Sequence, residues 1–243
     1  MTHQKEATGH SKEKAGVRAM FDAIAPRYDL LNHILSMGID RRWRKTLTRR
    51  LARINPNKVI DVATGTADLA LLIGRETKAS VTGVDISTGM ISIGQKKVNL
   101  ANMASTVTLV EADSANLPFD DHAFDAATVA FGVRNFEHTV AGLREMTRVI
   151  KPGGKIFVLE FSTPKGFPGL VASVYMRYIM PWIGRVISRH PTAYNYLPET
   201  ALAFPEGEQF AALLREAGLE QTTVTPLTFG VATLYDARKP MVK

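Results

Sequence analysis

Between residues 58 and 162 the chain alternates short β-rich runs with helical stretches, and this alternation constrains the fold more than any other feature. KVIDV (58–62), SVTGVD (80–85), TVTLVEAD (106–113), FDAATVAF (124–131) and KIFVLEFS (155–162) are rich in β-branched and apolar residues. Helical patterns separate them at about 67–77, 88–102 and 137–149. Parallel strands need a crossover, usually a helix, so the pattern predicts an α/β fold with a parallel sheet covered on both faces. Lys151-Pro152-Gly153-Gly154 stops one helix and turns the chain into the fifth strand. Residues 206–217 then read as a helix, and 219–225 and 228–236 as two closing strands.

Outside this frame, residues 1–15 read as a polar, mobile tail and 16–243 as one domain. Within that domain, 16–53 forms a helical cap of two or three helices, and 164–200, rich in Pro and aromatics, is a lid-like insertion before the last strands. The chain has no cysteine, which excludes disulfides, a cysteine nucleophile and thiolate metal sites, and suits a reducing cytoplasm. No metal site is expected. The N-terminus lacks the apolar core of a signal peptide, and no run of about 20 apolar residues is present to span a membrane.

The net charge of +7 is local. Residues 40–53, DRRWRKTLTRRLAR, hold seven basic side chains and one acid. They read as a helix with Asp40 as N-cap and with Trp43, Leu47, Leu51 and Ile54 on one face. Two readings of the basic face stand: a solvated surface, or a patch that meets anionic lipid headgroups, as at the inner face of a membrane, or another polyanion. Aromatics are not interleaved through it as a single-strand nucleic-acid platform requires, so nucleic acid is not an expected partner.

In open α/β sheets ligands bind at the carboxyl ends of the strands, near the point where strand order reverses. After the first strand come Asp61 and the small-residue turn to Gly65 and Thr66; after the second comes Asp85; after the third come Asp113 and Ser114. A dinucleotide site requires G-x-G-x-x-G on the first turn, and this turn holds only Gly65. An acid at Asp61, a loop without a phosphate cradle and a ribose-binding acid at Asp85 fit S-adenosylmethionine better, because that ligand has no phosphate and carries a cationic sulfur. Asp61 also reads as a capping acid that holds its loop, and Asp85 as an ordinary turn residue.

Two longer stretches carry a family resemblance. Tyr28-Asp29-Leu30-Leu31-Asn32-His33-Ile34-Leu35-Ser36-Met37-Gly38-Ile39-Asp40-Arg41-Arg42-Trp43 and Arg148 through Ser162, together with Phe131-Gly132-Val133-Arg134-Asn135, resemble the quinone-biosynthesis C-methyltransferases. The first stretch departs from the family pattern at Leu31, usually Met, and Asp40, usually His. The resemblance runs from about residue 17 to 240 and implies a class I S-adenosylmethionine-dependent methyltransferase fold, Rossmann-like, with a seven-stranded, mostly parallel sheet. It implies that Thr66, Asp85, Asp113 and Ser114 touch the cofactor, with Gly65 and Asp61 on the same loop. Ala130 stands where many members have Ser, and Ala63 and Ala67 stand where many methyltransferases have Gly, so altered cofactor packing is expected.

The implied reaction moves a methyl group to a ring carbon of a prenylated hydroquinone, with a demethylmenaquinol favoured over a ubiquinone-precursor benzoquinol. Arg134 and Asn135 are then placed to orient and charge-stabilise the quinol oxygens, and Tyr28, four residues before Asn32, to close the pocket. The structural alternatives are an ion pair for Arg134, with Glu160 read as a structural acid, and packing for Tyr28. A non-catalytic cofactor-binding subunit is the reading from another class. An amine-directed nucleic-acid methyltransferase is disfavoured, since Ala130-Phe131-Gly132-Val133 stands where N-P-P-Y-like residues belong.

Overall fold

The computed structural model describes residues 14–164 and 203–241. Two helices, α1 (Lys14–Leu35) and α2 (Asp40–Ala52), precede the alternation of β1 (Lys58–Val62), α3 (Asp68–Glu76), β2 (Ser80–Asp85), α4 (Thr88–Leu100), β3 (Val107–Glu111), β4 (Phe124–Ala130), α5 (Thr139–Val149) and β5 (Ile150–Phe161). After the undescribed stretch come α6 (Glu208–Glu216), β6 (Glu220–Leu227) and β7 (Ala232–Arg238). The expected tail falls outside the described residues except for Lys14 and Ala15, which open α1, and the expected insertion falls outside them except for Pro164.

The seven strands form one sheet in the order β3-β2-β1-β4-β5-β7-β6. The first five run parallel, and β7 is antiparallel to both β5 and β6. Strand order therefore reverses between β1 and β4, which places a crevice at their carboxyl ends. Side chains alternate across the strands, so Ile60 and Val62 pack into one buried cluster and Val59 into the other, one on each face of the sheet.

Four local expectations are corrected. Asp40 is the first residue of α2 rather than its cap; its carboxylate accepts from Ser36 Oγ at 2.7 Å and pairs with Arg44. Trp43, Leu47 and Leu51 share the buried face as the 4-residue spacing predicts, whereas Ile54 lies past the helix end and is 36% exposed. The fifth strand begins at Ile150, not Lys155: Phe124 pairs with Ile150 and Ala126 with Lys155, so Lys-Pro-Gly-Gly loops out as a bulge. Gly153 takes φ +77, and a Cβ on Gly154 would meet the Asp125 carbonyl oxygen at 2.6 Å, so only glycines allow that course. Finally, Thr228–Gly230 is a 3-10 turn of left-handed residues, and the last strand starts at Ala232.

Candidate active site

The carboxyl ends of β1, β2 and β4 open into a cleft that α1 covers from one side. Val17, Phe21 and Tyr28 of α1 line it opposite Gly65, Asp85, Ile86, Met90, Ala112, Ser114, Phe131, Gly132, Asn135, Phe136 and Glu137. Among the described residues its charged lining is two acids, Asp85 and Glu137, with no lysine or arginine. A phosphate would meet no basic partner there, whereas a cation would be favoured.

Asp85 stands at the tip of β2. Its Oδ2 accepts from the Gly65 backbone N–H at 2.8 Å and its Oδ1 from the Ser87 N–H at 2.9 Å, so both oxygens are oriented before any ligand arrives. Burial pushes its carboxyl above the ordinary range against those backbone hydrogen bonds. Gly65 makes the turn at φ +57, with the Tyr28 ring across it: a Cβ there would lie 3.7 Å from Tyr28 Cε1. Burial also pushes the Tyr28 phenol up; a hydrogen bond from Asn32 and the charges of Arg134 and Arg44 oppose it without cancelling it. Tyr28 is therefore a neutral hydrogen-bonding group at ordinary pH. Asn135 lines the cleft with its Oδ1 buried and without a partner among the described residues, an acceptor left open for a ligand.

The remaining candidates are distributed differently. Asp61 is 1% exposed, and its oxygens accept from Thr64 Oγ1 and Thr128 Oγ1, each at 2.6 Å. Burial pushes its carboxyl up to about 6. Asp61 and Thr66 line a second, smaller cavity beside the first, together with Arg44 and Asp68; Tyr28 and Gly65 border both. Thr66 Oγ1 donates to Asp29 at 2.5 Å. Asp113 lines neither cavity; its Oδ1 accepts from the Ala115 N–H at 3.0 Å. Arg134 is 3% exposed and lies behind the turn after β4. It bonds Glu160 Oε1 at 2.5 Å and the Phe131 carbonyl at 2.7 Å, and stands over the Phe161 ring at 5.4 Å. The Arg134–Glu160 pairing follows from register, because Ala130 and Leu159 are partners on β4 and β5.

The acids of α1 had not been singled out for a docking role. Asp22 Oδ1 accepts from Ser87 Oγ at 2.6 Å and the Gly89 N–H at 2.8 Å, a negative charge at the N-terminus of α4. One heptad on, Asp29 pairs with Lys97 at 2.9 Å. Arg18 pairs with Glu111 at 2.7 Å. The signal lay in the spacing: Val17, Phe21, Ile24 and Tyr28 recur at 4, 3 and 4 residues, and the two acids flank that stripe.

A doubly wound, seven-stranded sheet whose switch-point cleft offers an oriented acid, an open amide acceptor and, among the described residues, no phosphate partner defines a class I S-adenosylmethionine-dependent methyltransferase. The comparisons narrow this. The ubiE/COQ5 methyltransferase family matches residues 7–239. The chain is 42% identical over 237 residues to the demethylmenaquinone methyltransferase of Bacteroides fragilis, covering 97% of each chain. It is 44% identical over 227 residues to the ubiquinone/menaquinone biosynthesis C-methyltransferase UbiE of Geobacter sulfurreducens, covering 92% of this chain and 88% of that one. Among solved structures it resembles a Thermotoga maritima S-adenosylmethionine-dependent methyltransferase, with a TM-score of 0.62 at 18% identity, covering 91% of this chain and 99% of that one. The chain belongs to the ubiE/COQ5 methyltransferase family.

Proposed function

We propose that this chain transfers a methyl group from S-adenosylmethionine to a ring carbon of a prenylated hydroquinone, with demethylmenaquinol as the acceptor. The observation that carries the reading is the cleft at the strand tips, whose only charged lining among the described residues is acidic and which carries an Asn135 oxygen with no partner among them. Family membership and the name of the Bacteroides fragilis relative support the acceptor. When bound, the cofactor supplies a methyl group on a cationic sulfur and departs as a neutral thioether.

Asp85, with both oxygens already oriented, holds the ribose hydroxyls, and Ile86, Met90 and Ala112 form the apolar wall beside it. Asp61, Gly65 and Thr66 shape the neighbouring cavity for the amino-acid end, and Ser114 faces the purine, with Asp113 bracing its turn. A quinol carbon becomes a good nucleophile as its phenol, with a pKa near about 10, gives up a proton. Asn135 and Tyr28 orient the quinol oxygens, Tyr28 as a neutral partner. Arg134 acts through position: its bonds to Glu160 and the Phe131 carbonyl hold the turn that presents Asn135. Phe21, Phe131 and Phe136 exclude water from the reacting groups. A substrate with an isoprenoid tail lies in a bilayer, so the reading places the chain in the cytoplasm, in peripheral contact with an anionic membrane. Among the described residues no helix is long and apolar enough to cross one.

The test is turnover by purified protein with S-adenosylmethionine and a panel of reduced naphthoquinones and benzoquinones, read by mass spectrometry. The reading expects a product heavier by one methyl, with the naphthoquinol preferred. Cofactor binding without methylation of any quinol would leave a binding subunit instead.

A further inference from the structure

Three local features run against what stability favours, and all three meet at the first turn of α2. Met37, in the turn that leads into α2, sits at φ +50 and is 72% exposed. Phe229, in the turn between β6 and β7, sits at φ +57 and is 82% exposed. Left-handed backbone is unfavourable for a bulky residue, yet at both places it holds a large apolar side chain out in water. Arg41 and Arg42 occupy the first turn of α2, where the helix macrodipole disfavours cations. Both are exposed, and neither pairs with a carboxylate among the described residues.

These features share one edge of the molecule. Trp43 Nε1 donates to Thr228 Oγ1 at 2.8 Å and ties the β6–β7 turn to the start of α2. Ala232, just past that turn, pairs with Phe161 at the carboxyl end of β5, so the turn lies on the edge where the cleft opens. Arg44, one turn into α2, stands over the cleft-lining Phe131 at 5.5 Å. Much of the basic character of α2 is already committed to the fold: Arg44 pairs with Asp40, Lys45 with Glu76 and Arg50 with Asp236. Arg49 and Arg53 are exposed at the far end of the helix. The exposed Leu100 closes α4, which starts beside Asp85 and runs back, so that residue lies at the opposite edge of the sheet.

We propose that this carboxyl edge docks on an anionic lipid bilayer, with Phe229 and Met37 in the interfacial layer and Arg41 and Arg42 on lipid phosphates. Apolar tips flanked by unpaired arginines complement a surface that is negative at the headgroups and apolar just beneath. Docking in this pose turns the cleft toward the layer that holds a prenylated substrate; only this purpose rests on the proposed quinol chemistry.

The test is sedimentation of the full chain with phosphatidylcholine vesicles, with and without phosphatidylglycerol, in the absence of any quinone. The chain is expected to bind the anionic vesicles and to release as salt rises. Arg41→Gln with Arg42→Gln lowers partition about 30-fold, at about fivefold per arginine. Phe229→Ser lowers it roughly tenfold or more. Phe229→Gly also lowers it while raising the thermal midpoint, because glycine accepts the left-handed turn, so lost binding is not lost folding. The charge-matched pair Arg49→Gln with Arg53→Gln, and Leu100→Ser, leave partition essentially unchanged. No binding by folded protein, equal partition onto neutral vesicles, or equal losses in the control variants would overturn the proposal. Since no quinone is present, such a failure leaves methyl transfer untouched, and a failure of methyl transfer leaves vesicle binding untouched.

Discussion

Gly132 and Ala63 face each other across the floor of the cleft, and their packing gives a sharp test of the site's geometry. A Cβ at Gly132 would lie 2.5 Å from Ala63 Cβ and 3.3 Å from Val129 Cγ2. Carbon atoms in contact sit about 3.5–4.0 Å apart. The valine methyl needs to yield by a few tenths of an ångström, but the alanine contact can be relieved only by moving the backbone of one loop. Gly132→Ala is therefore expected to cost about 1–3 kcal/mol, the usual range for overpacking. Ala63→Gly removes the atom that is struck. It also relieves a left-handed φ of +52 at a residue with a Cβ, a gain of about 1–2 kcal/mol, set against about 0.5–1 kcal/mol of glycine entropy. Ala63→Gly alone should thus leave stability within about 1 kcal/mol of the starting protein, on the stabilising side. In its background Gly132→Ala should be close to neutral, a coupling of about 1–3 kcal/mol in the double-mutant cycle. Urea denaturation of the four proteins reads this as shifts in midpoint at constant slope. Calorimetric cofactor affinity should fall in Gly132→Ala and recover in the double variant, because the displaced loop carries Gly65. A coupling below about 0.5 kcal/mol would mean that the two positions are not packed as described, and the geometry of the cleft floor would be wrong.

Asp85→Ala removes an oriented acceptor for two hydroxyls and frees the Gly65 and Ser87 N–H groups; calorimetry should show cofactor affinity down about 100-fold, with weaker loss in Asp85→Asn. Glu160→Gln strands the buried Arg134 guanidinium, and denaturation should show a loss of about 3–5 kcal/mol, with turnover falling more than cofactor affinity. Asp61 gives a pH signature. Its carboxyl, pushed up to about 6, binds a proton in the folded chain that an ordinary unfolded carboxyl has released. Stability from this group is therefore present near pH 4 and is lost as pH rises to about 6, by up to roughly 3 kcal/mol. Asp61→Asn should flatten that slope; an equal wild-type-to-variant difference at pH 4.5 and pH 7 would remove the assignment.

The sheet was legible in the sequence because the parallel strands are short runs rich in β-branched and apolar residues with the crossover helices between them; the central β1 and β4 are largely buried, whereas the edge strand β3 is half-exposed. Its ends were legible only where chemistry marks them. Asp85 closes a strand, and its position alone located the acid at the β2 tip. Asp40 looked like a cap because an acid before a helical run commonly is one, but Ser36 and Arg44 surround it and the helix begins a residue earlier. Arg134 reads toward the cleft from sequence because the Phe131–Asn135 motif follows the fourth strand, at the mouth where ligands bind. Its partner, Glu160, lies 26 residues away, and only the β4–β5 register brings the two together. Thr228 and Phe229 have strand-forming side chains, so their left-handed turn was invisible to propensity. Ala63 and Ala67 were noticed as replacements for glycine, and the structure gives the reason that matters: both sit at positive φ, at +52 and +67.

The charges around the cleft follow one pattern. Arg44 lines the smaller cavity beside the cleft, Lys97 and Arg134 line neither cavity, and each is paired before a ligand arrives: Arg44 with Asp40, Lys97 with Asp29 and Asp68, and Arg134 with Glu160. Asp85 and Glu137 line the cleft, and no basic side chain among the described residues pairs with Asp85. A site that held its cations in the lining would attract nucleotides through their phosphates, and the fold alone does not prevent this, since the same sheet hosts dinucleotide enzymes. Selection of a phosphate-free cationic nucleoside therefore rests as much on the acids that pair with the neighbouring bases as on the acids that face the ligand. Removing Asp40 or Glu160 would leave an uncompensated positive charge near the place where a sulfonium has to sit, and would weaken binding without deleting a single ligand contact.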